Sequence, residues 1–216
     1  MNPQKQHTLP EGWEMKRLGD IAVNGTQNGM YKEPKFYGSG LEMVHMTDIF
    51  RSEKIINGEM TKVLVNAKEL EKFKLKLGDL LFARRSLALE GVAKCAIVGE
   101  LNEPVTFESS IIRVTLNKDT FPKYVFYYIQ SEKGQIEKMK LARQVAVSGI
   151  TGEDLKLLPI PLPPLPEQRR IAAVLGTWDT AIEQTTELLK ALRARHRGLM
   201  HQLLTGKVRL PGFGGE

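Results

Sequence analysis

The sequence predicts a mixed α+β domain followed by a long C-terminal α-helix that forms a coiled coil. Short β-rich runs bounded by turn residues occur throughout the first 158 residues. Five of the 11 prolines then fall between Pro159 and Pro166, and beyond them an apolar residue recurs every three or four positions. We therefore divide the chain into a domain at 1–158, a proline-rich linker at 159–166, a helix at 167–206 and a tail at 207–216.

Length and composition limit the class of protein. The 216 residues are 42% hydrophobic and 26% charged, which are ordinary values for a folded chain. No apolar run approaches the ~20 residues that cross a bilayer, and the N-terminal segment lacks the apolar core of a secretory signal. The single cysteine, Cys95, excludes an intramolecular disulfide and a multi-cysteine zinc site. We therefore expect a cytoplasmic protein, and its formal charge of +6 favours polyanionic partners without establishing them.

Strands are predicted where β-branched and aromatic residues cluster between turn residues. Pro122 lies near the first turn of a predicted helix, and Thr151 caps a short helix that has acidic residues in its first turn. The stretches 18–23 and 63–73 are less clear as β-rich runs. The predicted strands are Glu42–Met46, Asp79–Ala83, Val92–Val98 and Ser110–Leu116, and Ile136–Ala142 is a further helical piece.

The proline-rich segment PIPLPPLP marks a change in composition. Of the 15 aromatic residues, 13 precede residue 165. A proline run favours an extended conformation that acts as a semi-rigid spacer. We interpret it as a linker between the domain and the helix, and a peptide ligand for a proline-binding domain is the alternative.

The C-terminal segment carries a heptad seam. Glu167–Leu204 would be about 57 Å long as a helix, which exceeds the diameter of a domain of ~160 residues. A core helix that lies along its own domain is the alternative to a coiled coil. Because no second segment has this pattern, we expect the partner helix to come from another chain. The predicted dimer interface consists of Ile171, Leu175, Trp178, Ile182, Leu189, Leu192, Leu199 and Leu203, with Thr185 and His196 completing the seam.

Catalytic motifs are missing from the sequence. It has neither a GxxxxGK[ST] phosphate loop nor a GxGxxG turn that opens a helix. His196 and His201 are five residues apart and so do not share a helical face as a metal pair would. Cys95 lies in an apolar run and is interpreted as a buried structural thiol. The sequence therefore predicts no catalytic residue and no metal site.

Polar residues in two loops suit DNA binding. Arg84, Arg85 and Ser86 follow a predicted strand, and arginines there can fork onto guanine edges or phosphates. The segment 24–38 is rich in Asn, Gln, Lys and Tyr, although such residues also make ordinary solvated loops. The candidate DNA-binding residues are Arg84, Arg85, Ser86, Gln27, Asn28, Lys32, Lys35 and Gln144.

Several runs resemble the type I restriction–modification specificity (S) subunits. PPLPEQRRIA, the following Asp179 and LMHQLLTGKVRL are similar to the conserved helical region of that family. LPEGWEMKRLGDIA resembles the opening of its target-recognition domain, and GDLLFARRS and FPKYVFYYIQS resemble further parts of the same domain. The resemblance covers nearly the whole chain.

The resemblance implies a non-catalytic subunit that binds double-stranded DNA at a bipartite site. It implies partners as well: modification subunits, which are adenine methyltransferases that bind S-adenosylmethionine themselves, and restriction subunits. Members usually carry two recognition domains and two antiparallel helices, whereas this chain has one of each. We therefore expect a homodimer, formed by a natural half-subunit or a truncated product, and the family-like start and end favour the former. A fragment of a DNA methyltransferase or nuclease, and a coiled-coil scaffold without a DNA role, are the alternatives.

Overall fold

The computed structural model describes residues 9–58, 60–85, 91, 93–144 and 149–214, without the side chains of 142–144. The chain forms two compact units, residues 1–172 and 173–216. The strands are β1 (Glu14–Arg17), β2 (Ala22–Asn28), β3 (Tyr37–Val44), β4 (Lys54–Ile55), β5 (Lys62–Val63), β6 (Leu80–Ala83), β7 (Cys95–Val98), β8 (Val105–Phe107), β9 (Ile111–Leu116) and β10 (Pro159–Leu162). The α-helices are α1 (Leu18–Ile21), α2 (Met46–Arg51), α3 (Ala67–Phe73), α4 (Pro122–Gln130), α5 (Glu132–Gln144), α6 (Gly152–Lys156) and α7 (Leu165–Leu204).

A five-stranded sheet in the order β2-β9-β6-β7-β4 forms the centre of the first unit. Its inner strands β9, β6 and β7 are antiparallel to their inner neighbours and consist mainly of apolar residues. All four residues of β6 are buried, which is expected for a strand covered on both faces. Two layers therefore pack on this sheet, one on each face.

The helical layer covers one face of the five-stranded sheet. Leu80, Phe82 and Ile112 point from the sheet into a core that also contains residues of α1, α4 and α6. Tyr124 on α4 donates its hydroxyl to the carbonyl of Pro161 at 2.7 Å, which satisfies a buried polar group. Successive side chains of each strand point alternately into this core and into a second core on the opposite face of the sheet.

The opposite face packs against a three-stranded sheet in the order β5-β3-β8 and against α2. Leu81, Ala96 and Ile111 point into this second core. Helix α3 adjoins it through Phe73, whose ring meets the Phe107 ring edge to face with centroids 6.1 Å apart. The first unit is therefore an α+β domain, as predicted, and its elements form three layers.

The prediction of a linker at residues 159–166 is wrong for its first half. Its first four residues form β10, which pairs antiparallel with β1 in the register Lys16↔Ile160. Ile160 is fully buried in the core of the helical layer. Proline lacks an N–H to donate, but a strand with one partner can leave that side unpaired. Residues 159–162 are therefore part of the domain, and only Pro163 and Pro164 separate β10 from α7.

Helix α7 begins two residues before the predicted start and ends two residues before the predicted end. Gln168, the fourth residue of the helix, is buried and accepts a hydrogen bond from Phe121 N at 2.7 Å. Its Nε2 donates to Pro163 O at 2.8 Å and to Asp119 O at 3.5 Å. Ile171, predicted to lie in the dimer seam, is half-buried and packs against the core of the first unit. The beginning of the helix therefore belongs to the domain.

The second unit is the remainder of α7 and the residues that follow it. The predicted seam residues from Leu175 to Leu203 are all exposed, and Trp178 is 67% exposed. Among the other described helices, the longest is α5, with 13 residues. The coiled coil itself therefore stays a prediction.

Most predicted strands are present with shifted ends. Asp79–Ala83 and Ser110–Leu116 correspond to β6 and β9, and Val92–Val98 corresponds to β7, with Val92 outside the described residues. The strand predicted at Glu42–Met46 ends at Val44, because Met46 already begins α2. The two ambiguous stretches each contain both structures, namely α1 with the start of β2 and β5 with α3.

Candidate nucleic-acid interface

The two predicted DNA-binding loops lie at the same edge of the five-stranded sheet. Strands β2 and β6 both run antiparallel to β9, so their C-terminal ends coincide. Asn28 pairs with Ile112, and Ala83 pairs with the neighbouring Ile111. The sheet therefore brings residues 28–30 close to residues 84–85 and 108–110. We call these residues, together with 31–35 that follow in the chain, the loop edge.

Arg84 and Arg85 directly follow β6, and hydrogen bonds hold the backbone of Arg84 in place. Arg84 N donates to Ser110 O at 2.9 Å, and Arg84 O accepts from Ile150 N at 3.0 Å. Gly149 has a φ of +96°, and a Cβ there would lie 2.3 Å from Arg84 O, so only glycine permits this approach. Arg84 is half-buried and Arg85 is exposed. The backbone is thus ordered while at least the Arg85 side chain is accessible.

The loop after β2 is clamped where it begins. Gly29 N donates to Ile111 O at 3.1 Å, and Met30 N donates to Phe107 O at 3.0 Å. The Met30 side chain is buried against Met43. Two exposed side chains flank this anchor, Asn28 on one side and Tyr31, which is 76% exposed, on the other. Both can therefore meet a ligand without rearrangement of the loop.

The two predicted lysines differ in accessibility. Lys32 Nζ lies 2.6 Å from Glu69 Oε2 on α3, and its side chain is only 9% exposed. Lys35 Nζ lies 2.8 Å from the neighbouring Glu33, and its side chain is 66% exposed. Both ammonium groups also lie about 5 Å from the ring centroid of Phe36. Lys32 therefore ties the loop edge to α3, and Lys35 is the more available of the two.

Gln27 is engaged inside the protein. Its Nε2 donates to Lys72 O at 3.2 Å, and its Oε1 accepts a hydrogen bond from Arg113 Nη2. Arg113 Nη1 also donates to Lys74 O at 2.8 Å. Burial lowers the pKa of Arg113, while Asp79 opposes that shift, and the guanidinium stays charged. Gln27 thus holds the end of α3 beside β2, which makes it a structural residue in this arrangement.

The side chains of two further predicted residues lie outside the described part of the chain. Ser86 lies outside the described residues. Gln144 is the last residue of α5, and its side chain also lies outside the described part of the chain. Of the eight predicted DNA-binding residues, Asn28, Arg84 and Arg85 are therefore the ones that the sheet brings together in an accessible or partly accessible form, and the exposed Lys35 follows Asn28 in the same loop.

The sequence analysis missed a His–Glu pair that includes Glu108 of the loop edge. His45 Nδ1 lies 2.9 Å from Glu108 Oε2, and Met46 N donates to Glu108 Oε1 at 2.8 Å. The hydrogen bond with Glu108 raises the pKa of His45. Burial would raise the pKa of Glu108, but the hydrogen bonds from His45 and Met46 outweigh it and lower that pKa. Residues so far apart in sequence leave no local pattern by which to pair them.

Cys95 is fully buried, as expected for a structural thiol, and burial raises its pKa to about 12. At neutral pH it is therefore a thiol and not a nucleophilic thiolate. Within the described ranges, no group of three or more His, Cys, Asp or Glu side chains could hold a metal ion. No helix in the same ranges is both long enough and apolar enough to cross a membrane.

Residues 10–194 match the family described as the type I restriction modification DNA specificity domain. The chain is 25% identical, over 96% of its length, to the type I restriction enzyme EcoKI specificity subunit of Escherichia coli. It is 26% identical, over 94% of its length, to the MjaVIII specificity subunit of Methanocaldococcus jannaschii. Its fold is similar to the crystal structure of the HsdS subunit from Thermoanaerobacter tengcongensis, with a TM-score of 0.56, 22% identity and coverage of 88% of this chain and 42% of that one.

The chain spans about half the length of these proteins. It covers 45% of the Escherichia coli subunit and 48% of the Methanocaldococcus subunit. One copy of this chain thus corresponds to one half of such a relative.

Proposed function

Because the chain belongs to the type I restriction modification DNA specificity domain family, we propose that it is a non-catalytic subunit that recognises a specific DNA sequence. Its first unit reads bases, and it directs modification and restriction subunits to that sequence. The methyl donor S-adenosylmethionine binds to the modification subunit, so this chain needs no cofactor of its own. We expect the chain to act in the cytoplasm, where it would meet these subunits and DNA.

The observation that carries this proposal is the convergence of Asn28, Arg84 and Arg85 at the loop edge. An arginine can donate two hydrogen bonds to guanine, and an asparagine can pair in the same way with adenine. The backbone behind these side chains is fixed by hydrogen bonds to β8 and β9 and to Ile150. A recognition surface on a rigid support discriminates between sequences because a wrong base cannot be accommodated by movement.

We further propose that two copies associate through α7. Leu175, Trp178, Ile182 and Leu189 are all exposed on the single chain and lie on one seam. A contiguous apolar surface of that length exceeds what a monomer usually leaves in water. For identical chains the simplest closed assembly is a two-fold dimer. A second copy would also supply the half that the longer relatives have and this chain lacks.

A two-fold dimer predicts the form of the DNA site. Two identical recognition domains related by a two-fold axis read identical half-sites on opposite strands. The target is therefore an interrupted palindrome, and modification subunits deliver one methyl group to each half. Sequencing of methylated adenines in cells that carry the full system tests this directly. An asymmetric site would mean that a different second half completes the assembly.

The dimer is tested by light scattering on the purified chain. We expect about twice the chain mass of 24.3 kDa. Leu189→Arg with Leu192→Arg places two charges on the seam and should give a monomer. The matched control is Gln184→Arg with Ala194→Arg, which adds the same charge to exposed positions off the seam of the same helix. A wild-type monomer at micromolar concentration would contradict the proposal.

The non-catalytic role is tested with labelled S-adenosylmethionine and DNA. The isolated chain should incorporate no methyl group, and addition of modification subunits should start incorporation at one motif. Sequence-specific incorporation by the chain alone would show that it is itself a methyltransferase.

A further inference from the structure

Three lysines on and just beyond α3 form a basic surface beside the edge strand β2. Lys68 and Lys72 are one helical turn apart and share a face, and Lys74 follows in the chain that leaves the helix. All three are exposed, and none forms an ion pair with another described residue. We call Lys68, Lys72 and Lys74 the lysine ridge. The next lysine, Lys76, interacts electrostatically with Asp79 and is not counted.

The backbone of the lysine ridge is fastened to the sheet. The carbonyl of Lys72 accepts from Gln27 Nε2 at 3.2 Å, and that of Lys74 accepts from Arg113 Nη1 at 2.8 Å. Arg113 also stacks over Phe107, with its guanidinium carbon 5.3 Å from the ring centroid. The backbone that carries the three exposed ridge lysines is therefore a fixed support. The half-buried Arg113 lies 3.9 Å from the carboxylate of Asp79 and is not counted as part of the positive surface.

Acidic side chains do little to cancel this charge. The segment from Ala67 to Lys76 contains two glutamates, Glu69 and Glu71. Glu69 is already neutralised by Lys32, whose Nζ lies 2.6 Å from it. Only Glu71 remains against the three ridge lysines, so the surface is positive.

The lysine ridge continues the loop edge. Gln27, which holds the carbonyl of Lys72, immediately precedes Asn28 in β2. Lys32, within the loop edge, is bound to Glu69 in the same helix as Lys68. A duplex whose bases meet the loop edge would therefore present its sugar–phosphate backbone next to the ridge.

We propose that the lysine ridge binds the phosphate backbone of the DNA duplex whose bases meet the loop edge. The inference rests on the proposed function and adds a phosphate-binding surface to it. Contacts to phosphates carry no sequence information, but they fix the register of a protein on the duplex. Each lysine that neutralises a phosphate releases a counterion, which gives binding its salt dependence. Arg113 and Gln27 act as positioning residues, because they hold the ridge without facing the DNA themselves.

The test uses the full chain and a fluorescently labelled duplex of about 30 base pairs, with binding followed by anisotropy over a range of KCl concentrations. The ridge variant is Lys68→Ala, Lys72→Ala and Lys74→Ala. Loss of three phosphate contacts should reduce the slope of log K against log salt by about 2–3 and lower the affinity by about tenfold or more. The same three lysines changed to arginine should keep the wild-type slope. Circular dichroism verifies the fold of each variant.

The matched control removes three exposed lysines elsewhere, by Lys54→Ala, Lys118→Ala and Lys133→Ala. Lys54 lies in β4 at the opposite edge of the sheet, and Lys133 lies in α5 of the helical layer. The control should retain the wild-type slope. An equal loss of slope in the control would overturn the proposal, since it would show a diffuse effect of net charge.

The remaining outcomes separate the ridge from the proposed function. A ridge variant with wild-type affinity and slope overturns the ridge alone. If the variant binds DNA normally but no longer associates with modification subunits, the ridge is a docking surface for an acidic protein, and the phosphate proposal is wrong. If the wild-type chain binds all sequences equally and the variant still loses its slope, the ridge proposal holds and sequence recognition fails. A wild-type chain that binds no DNA overturns both.

Discussion

His45 and Glu108, which are 63 residues apart in the chain, meet with Nδ1 2.9 Å from Oε2. His45 follows β3 and precedes α2, and Glu108 belongs to the loop edge. The backbone of Glu108 also pairs with that of Met30, at the start of the other loop. This ion pair thus connects the segment between β3 and α2 to Glu108 and, through the backbone of Glu108, to the loop that begins at Met30.

We predict that this pair makes stability depend on pH. The pKa of His45 is raised, so its contribution is complete below the unfolded value of about 6.5 and is lost as pH rises through the folded pKa. The pKa of Glu108 is lowered, so its contribution is complete above about 4.3 and is lost as pH falls through the folded pKa. The pair is therefore strongest between about pH 4.3 and 6.5. His45→Gln should lower the free energy of unfolding more at pH 5.5 than at pH 8.5, as measured by urea denaturation.

The control for this prediction is a double-mutant cycle. Glu108→Gln should remove the same pH-dependent part, and the double variant should lose no more of it than either single variant does. A destabilisation by His45→Gln that is equal at both pH values would assign the effect to packing against Tyr37, whose ring centroid is 5.8 Å away.

We predict that Arg85 contacts DNA, and that the half-buried Arg84 contributes less. If Arg85 forks onto a guanine, Arg85→Ala should cost about 1–3 kcal/mol and relax specificity at one base pair. If it binds a phosphate, affinity should fall for every sequence and the salt slope should shrink by about one. Competition binding with single-base variants of the target distinguishes the two. Arg209→Ala, an exposed arginine after α7, is the control and should have no effect. Wild-type affinity and specificity in both Arg84→Ala and Arg85→Ala would move recognition elsewhere.

Gln168 should be important for stability although its side chain is polar. Gln168→Ala leaves Phe121 N and Pro163 O without their partners in a buried site. We expect a loss of about 1–3 kcal/mol in the free energy of unfolding, measured by thermal denaturation. Gln184→Ala is the control, since Gln184 is exposed on the same helix and its loss should change stability by about 0.5 kcal/mol at most. Equal stabilities for the two variants would mean that water replaces the buried amide.

Two glycines should respond in opposite directions to alanine. Gly149→Ala places a Cβ 2.3 Å from Arg84 O at a positive φ, so it should destabilise the first unit and displace Arg84. Gly198 lies inside α7, and a Cβ built there has no described atom within 4 Å apart from its chain neighbours and the nearby backbone of its own helix. Gly198→Ala should therefore raise helix stability by about 0.5–1 kcal/mol. Thermal denaturation and circular dichroism measure both changes, and a stabilising Gly149→Ala would contradict the assigned backbone.

The sequence predicts those elements whose patterns are local. Helix α7 follows from a heptad pattern that is apolar at most of its positions, and β6 and β9 follow from short runs of β-branched and apolar residues between turns. Strand β10 could not be predicted, because Pro159 and Pro161 argue against a strand unless its partner, β1, is already known. The contact of Ile171 with the core of its own domain was likewise not predictable, because in the sequence this residue only continues the heptad pattern.

The residues of the candidate site were also only partly predictable from the sequence. Arg84 and Arg85 were found because a charged pair at the end of an apolar strand is visible in the sequence. The roles of Lys32 and Gln27 depend on Glu69, Arg113 and the carbonyl of Lys72, which lie far away in the chain. Polar loop residues are therefore recognisable as candidates, but whether each faces solvent or a distant partner is decided by tertiary structure.

The pairing of β1 with β10 has a consequence for how such a domain could change during evolution. The chain enters the first unit and leaves it on adjacent antiparallel strands, with Glu14 opposite Leu162 and Arg17 opposite Pro159. Everything that carries the loop edge lies between these two strands. A foreign segment whose ends fit the same pair could replace residues 18–158 without displacing the flanking chain. The strand pair is thus a fixed attachment point. The exchange of the one segment between its strands could join the same helix to a domain with a different DNA target.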